Sequence, residues 1–186
     1  MIMNVAVLGA GGWGTTLAIL LFSNGHNVTL YEYKPDYAQI LNEKRINEIY
    51  LPQIQIPEEI IITSNLEEAV HKKQIIVLAI PTQYLRSVIE KIDFKLIKNS
   101  ILVNVAKGIE ISTLKRVSEI IEDVFPSISY EQISTLSGPS HAEEVARKIP
   151  TAVVVGSRSI ETAKFVQNEF MNPYFRVYAT TDIVGV

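Results

Sequence analysis

The 186-residue sequence contains no cysteine. That excludes disulfide bonds, thiolate zinc sites and a thiol nucleophile. It has no apolar run near the roughly 20 residues that a membrane-spanning helix needs. Its first apolar run, Val5–Leu8, is far too short for the core of a secretion signal. Positive charge is also scarce: 17 Lys and Arg against 20 Asp and Glu leave a net charge of −3. No broad basic field is available to hold nucleic acid, so any anionic ligand must be gripped by local devices. The three histidines, His26, His71 and His141, are too scattered to form a metal set, and no metal site is expected. These absences point to a soluble, cytoplasmic chain.

What the sequence does contain is a rhythm. Short apolar runs at Asn4–Leu8, Val28–Tyr31, Ile60–Thr63, Ile75–Ile80, Ile101–Val105, Ile133–Leu136, Ala152–Val155 and Phe175–Tyr178 read as strands. Ile75–Ile80 is continuously apolar rather than alternating, the mark of a parallel strand buried on both faces. Helices are expected between the runs, at Gly12–Ser23, Pro35–Arg45, from Asn65, at Ser112–Val124 and at Ile160–Met171. Asn47–Glu59, with Pro52 and Pro57, reads as a loop. Repeated β–α alternation predicts a Rossmann-like, doubly wound α/β fold with a mostly parallel sheet. Near the end, Thr180-Thr181-Asp182 looks like a helix cap with only four residues after it, as though another element should begin there. On that reading Ile183, Val184 and Val186 would be solvated or would find a partner, and self-association would follow.

Gly9, Gly11 and Gly14 match G-x-G-x-x-G in the loop Gly9-Ala10-Gly11-Gly12-Trp13-Gly14. The pattern alone is weak. Here it leaves a strand, opens a helix and precedes a second strand, the context of a dinucleotide site. Gly9 would allow the tight turn, Gly11 the approach of a pyrophosphate, and Gly14 close packing of helix on strand. The helix N-terminus would then offer free N–H groups and partial positive charge. Trp13 reads equally as a packing residue or as a wall over the cofactor. Glu32 lies 23 residues after Gly9 at a strand end. It reads as an acceptor for ribose hydroxyls that would repel a 2′-phosphate, or else as an exposed charge. Tyr33 could stack on adenine, and Lys34 could tolerate a 2′-phosphate.

Three more loops follow strand ends, where ligands bind in open α/β sheets. Pro81 fixes the backbone of Ala79-Ile80-Pro81-Thr82, so that loop could lie flat against a ligand. Lys107, in Ala106-Lys107-Gly108, is either a solvated lysine or an ammonium aimed at the ligand. Ser137-Gly138-Pro139-Ser140-His141-Ala142 offers backbone N–H groups and a serine hydroxyl, or is only a helix entry with Pro139 at its first position.

The blocks Gly9–Thr15, Ile80-Pro81-Thr82, Ala106-Lys107-Gly108-Ile109-Glu110, Leu136-Ser137-Gly138-Pro139-Ser140, Pro150-Thr151-Ala152 and Phe175-Arg176-Val177-Tyr178 together resemble the bacterial NAD(P)-dependent glycerol-3-phosphate dehydrogenases. The likeness runs from Asn4 to Val186. It implies reversible reduction of dihydroxyacetone phosphate to sn-glycerol 3-phosphate, a precursor of glycerophospholipids, with NAD(H) as cofactor and NADP(H) also admitted. It places Gly12, Trp13, Tyr33, Lys107 and Ala142 at the cofactor, and Lys107, Gly138 and Ser140 at the substrate. Glu32 departs from many relatives, which carry a small or neutral residue there. The family adds a helical C-terminal domain, so residues 1–180 would be the dinucleotide-binding domain and 181–186 the start of a connection. The main catalytic lysine would lie beyond Val186, with Lys107 auxiliary, and the full-length protein would be a homodimer. Two other readings fit the residues: a different two-domain Rossmann reductase of a small hydroxy acid or sugar phosphate, and a non-catalytic NADH-binding module.

Overall fold

A computed structural model describes every residue, Met1–Val186. The chain runs β1 (Asn4–Leu8), α1 (Gly12–Ser23), β2 (Asn27–Tyr31), α2 (Pro35–Lys44), β3 (Ile46–Asn47), β4 (Leu51–Gln55), β5 (Ile61–Thr63), α3 (Leu66–Val70) and β6 (Ile75–Leu78). It continues α4 (Thr82–Ile89), α5 (Phe94–Ile97), β7 (Ile101–Asn104), α6 (Val117–Val124), β8 (Ile133–Ser137), α7 (Ala142–Ala146), β9 (Thr151–Ser157), α8 (Ile160–Phe170) and β10 (Phe175–Thr180). Eight strands form one sheet in the order β10-β9-β8-β7-β6-β1-β2-β5, and β3 and β4 form a separate hairpin. Every pair in the large sheet is parallel except β8–β9.

Strand periodicity splits the core in two. Val5 and Val7 of β1, with Ile75 and Val77 of β6, face the helix layer that contains α1, α2 and α8. Ala6, Leu8, Ile76 and Leu78 face the other layer, built from α3, α4, α5 and α6. Residues of β1 and β6 are thus buried on both faces, which is why these strands lack polar alternation. From β1 the chain winds outward to β2 and β5, then returns to β6 on the other side of β1. The reversal opens a crevice at the carboxyl ends of β1 and β6. The ends of β2, β7 and β8 lie along the same edge, because all these strands are parallel.

Several boundaries depart from the sequence reading. The expected loop Asn47–Glu59 contains the end of β3 and all of β4; Pro52 is accommodated because that two-stranded sheet has free edges. Ser112 does not start a helix. Residues 110–116 form a turn closed by a bridge between Ile109 and Arg116, and α6 begins at Val117 with the Arg116 N–H donating to Glu119. Pro139 is not a first helical residue either, since α7 opens after His141. Asn65 does cap α3, accepting from the Glu68 N–H at 3.2 Å. The last residues form a turn in which Asp182 accepts the Gly185 N–H at 2.8 Å. Ile183 is buried in the second core rather than solvated, while Val184 stays exposed. No helix is long and apolar enough to cross a membrane.

Candidate functional site

The glycine loop turns directly out of β1. Gly9 has φ +111°, and a Cβ there would stand 2.6 Å from the Ala79 carbonyl oxygen of the neighbouring strand end. A Cβ on Gly14 would fall 1.9 Å from the Gly9 carbonyl oxygen, so α1 can only lie this close to β1 with glycine at that position. Gly11 has open space where its side chain would be. It precedes α1 without any side-chain cap, and the helix has no acidic residue in its first turn. The first intrahelical bond is donated by Thr15, to the Gly11 carbonyl. The N–H groups of Gly12, Trp13 and Gly14 are therefore left without helical partners. Bare N–H groups, a partial positive charge and clear space above Gly11 fit a pyrophosphate.

A cleft of about 250 Å³ extends from this helix start. Trp13, Ile80, Pro81, Lys107, Ser140 and Ala142 are among the residues that line it. The ends of β6, β7 and β8 thus meet the glycine helix in one hollow, as the sequence anticipates. Trp13 packs on the core and on Phe175, with ring centroids 6.4 Å apart, and also lines the cleft. Lys107 is exposed, and its Nζ donates to the Gly138 carbonyl at 3.2 Å, joining two predicted substrate residues. The Ser140 hydroxyl also points to that carbonyl, at 3.5 Å. Thr16 of α1 donates to the Ala142 carbonyl at 3.1 Å and fixes α7 against the glycine helix.

Glu32 lies at the end of β2 and is only 5% exposed, not a solvated strand-end charge. Its Oε1 accepts the Lys34 N–H at 3.1 Å. Burial raises its carboxyl above the usual range, against the opposing pull of the Lys34 N–H and ammonium and of the Ala10 peptide. Tyr33 beside it is exposed, with the Lys34 ammonium 5.3 Å from its ring centroid.

Two supports were not legible in the sequence. The first is Asn47, fully buried, from the segment read as a loop. Its amide donates to the Ala10 carbonyl and the Thr15 hydroxyl, both at 2.8 Å, and its oxygen accepts from the Tyr37 hydroxyl at 2.6 Å and the Tyr50 N–H at 3.1 Å. One amide thus ties the β3–β4 hairpin to the glycine loop. The second is a latch on the Lys107 loop. From α4, Thr82 donates to the Lys107 carbonyl at 2.8 Å, and Gln83 bonds both Ile109 and Ile111. Arg86 grips Glu110 with two bonds, at 2.9 and 2.8 Å. Thr113 also donates to Glu110, and Asp123 joins Arg86 to Lys115. The Arg86 guanidinium first, then the Thr113 hydroxyl, hold the Glu110 carboxyl down at about 2.

Residues 4–163 match the family described as NAD-dependent glycerol-3-phosphate dehydrogenase N-terminus. The chain belongs to this family. It is 47% identical over 184 residues to the glycerol-3-phosphate dehydrogenase [NAD(P)+] of Fusobacterium nucleatum, covering 99% of this chain and 55% of the relative. It is 48% identical, with the same coverage, to the glycerol-3-phosphate dehydrogenase [NAD(P)+] of Pelodictyon phaeoclathratiforme. The crystal structure of glycerol-3-phosphate dehydrogenase from Coxiella burnetii superposes with a TM-score of 0.90 at 28% identity, over 99% of this chain and 55% of that one. The chain therefore spans about half the length of the curated relatives that it matches.

Asn47→Ala should leave the Ala10 carbonyl and the Thr15 and Tyr37 hydroxyls without their buried partner. We expect a loss of about 3 kcal/mol in urea unfolding together with weaker NADH binding. Unchanged NADH affinity would show that the hairpin does not support the loop. The Arg86–Glu110 pair carries a pH signature. Glu110 titrates below its ordinary value of 4.5 in the folded chain, so its stabilising effect is present above that value and lost as pH falls toward about 2. In thermal melts between those limits, Glu110→Gln should show a shallower loss of Tm than the wild type; parallel profiles would contradict the assignment.

Proposed function

We propose that this chain is the cofactor-binding part of an sn-glycerol-3-phosphate dehydrogenase that acts in the cytoplasm and pairs as a homodimer at full length. The reaction is the reversible reduction of dihydroxyacetone phosphate to sn-glycerol 3-phosphate. The observation that carries this reading is the position of Lys107: its ammonium stands at the same cleft as the bare start of α1 and bonds the Gly138 turn. A dinucleotide grip and a cation at one hollow are what a carbonyl reductase needs. Residues 1–180 form the dinucleotide-binding domain, and 181–186 open the connection to a substrate domain.

The residues fit the nicotinamide dinucleotide. Gly9, Gly11, Gly12 and Gly14 leave room and donors for its pyrophosphate, and Glu32 offers acceptors to ribose hydroxyls. Tyr33 gives the adenine an exposed aromatic face, and Trp13, Pro81 and Ala142 flank the remainder. The bound cofactor supplies hydride in reduction and accepts it in oxidation. Lys107 has N–H donors beyond the one given to Gly138; they orient the substrate carbonyl and offset the charge that develops on its oxygen. Gly138 and Ser140 contact the same substrate. In this reading the proton comes from a second lysine in the substrate domain.

Glu32 sets cofactor choice, because a carboxylate there repels a 2′-phosphate. Calorimetric titration at pH 8 should show NADH binding at least about tenfold more tightly than NADPH. The gap should shrink as pH falls, since the raised Glu32 carboxyl then loses its charge. NADPH binding as tight as NADH would overturn this role. The isolated 186-residue chain should bind NADH but turn over negligibly; robust turnover would refute a second-domain lysine. In the full-length protein, Lys107→Met should lower kcat by about 100-fold. Activity confined to a non-phosphorylated hydroxy acid would favour a different reductase.

A further inference from the structure

The opposite edge of the sheet carries a second cleft, of about 370 Å³. One wall is His71–Gln74, in the turn that enters β6. The other is formed by α5 and the turn that enters β7. β6 and β7 are parallel neighbours, paired from Ile75 opposite Ile101, so their entry turns must lie side by side. This topology gathers Lys72, Lys73, Lys95 and Lys98 around one hollow, with His71 at its rim and no acidic residue in its lining.

Surface lysines usually sit near carboxylates. None of these four takes part in any of the chain's eight ion pairs. Asp93 caps α5 by accepting the Lys95 backbone N–H at 2.9 Å, and Glu68 accepts from the Thr63 hydroxyl at 2.8 Å, so neither makes an ion pair with these lysines. Lys73 is partly buried and donates to the Thr29 hydroxyl at 2.7 Å. Burial pushes its ammonium below the usual lysine range, although Glu68 pulls the other way. Lys72 is held at φ +54°, a backbone setting that costs energy outside glycine. Lys95 lies on α5 and Lys98, three residues on, caps its C-terminal end, so their like charges repel. Four lysines outside any ion pair thus crowd one concavity in a chain whose net charge is −3.

We propose that this lysine cleft binds a small polyanion, a metabolite carrying two or more phosphate groups, and that occupancy stabilises the fold. A concave hollow of this volume suits a small molecule, since ligand pockets run from roughly 300 to 1,000 Å³. Several cations converging from two segments suit more than one phosphate. The site is distinct from the cofactor cleft, being at the other end of the same strands.

The test uses tripolyphosphate as probe, followed by two-dimensional amide NMR of the ¹⁵N-labelled chain in about 0.1 M KCl, where long-range charge effects are screened. Saturable shifts are expected at His71–Gln74 and Lys95–Ser100, with tighter binding than for orthophosphate. Tm should rise above that in chloride of equal ionic strength. The double substitution Lys72→Gln and Lys98→Gln changes exposed side chains only; it should weaken tripolyphosphate binding about fivefold or more and leave NADH-induced shifts at Gly9–Gly14 intact. Three results would overturn the proposal: shifts confined to Gly9–Gly14, linear non-saturating shifts unchanged in the double variant, or binding to phosphatidylglycerol vesicles without response to tripolyphosphate. The last would assign the lysines to a membrane surface.

Discussion

The approach of α1 to β1 governs the rest of the site. With Gly14 against the Gly9 carbonyl, the helix axis is set close enough to the sheet for its unpaired N–H groups to face the crevice between β1 and β6. Any side chain at Gly14 would lift the helix away, moving the N–H groups, the Trp13 wall and the Thr16 bond to Ala142 together. The cleft is therefore a by-product of one close packing contact, and the loops around it are arranged to preserve that contact.

Those loops are held by two kinds of chemistry. Inside, where water is excluded, a neutral amide does the work: Asn47 satisfies a carbonyl and a hydroxyl without bringing a charge into the core. At the other rim, buried Glu110 is matched by the partly exposed Arg86 and by the Thr113 hydroxyl, so a hydrogen-bonded ion pair holds the Lys107 loop. The result is that both rims of the crevice are fixed by side chains that need not touch a ligand.

What the sequence made legible follows from local pattern. Strands such as Ile75–Leu78 stand out because burial on both faces removes polar residues, and the glycine loop because its spacing is dictated by backbone contact. Glu32 and Lys107 could be placed because strand ends are countable. Asn47 could not, since one asparagine in a proline-bearing segment has no periodicity to mark it, and its four partners lie on three other segments and its own hairpin. The start of α6 escapes local pattern for a related reason. Ser112 has the composition of a cap, yet the contacts of Glu110 with Arg86 and Thr113 fold that stretch back into a turn, so tertiary bonding overrides local preference. The burial of Ile183 has no local mark, because its cover, the second core, is contributed by residues remote in sequence.

The one antiparallel junction of the large sheet, between β8 and β9, has a kinetic meaning. These strands are joined through the short α7, so their pairing closes a small loop. The β1–β6 pairing must close a loop that contains two long helices, a hairpin and two further strands, and its entropic cost is correspondingly greater. During folding, the β8–β9 corner is the inexpensive event and the β1–β6 crevice the demanding one. The ligand edge is thus the last part of the molecule that chain topology favours, and a bound dinucleotide would stabilise the very closure that the polypeptide finds hardest to make.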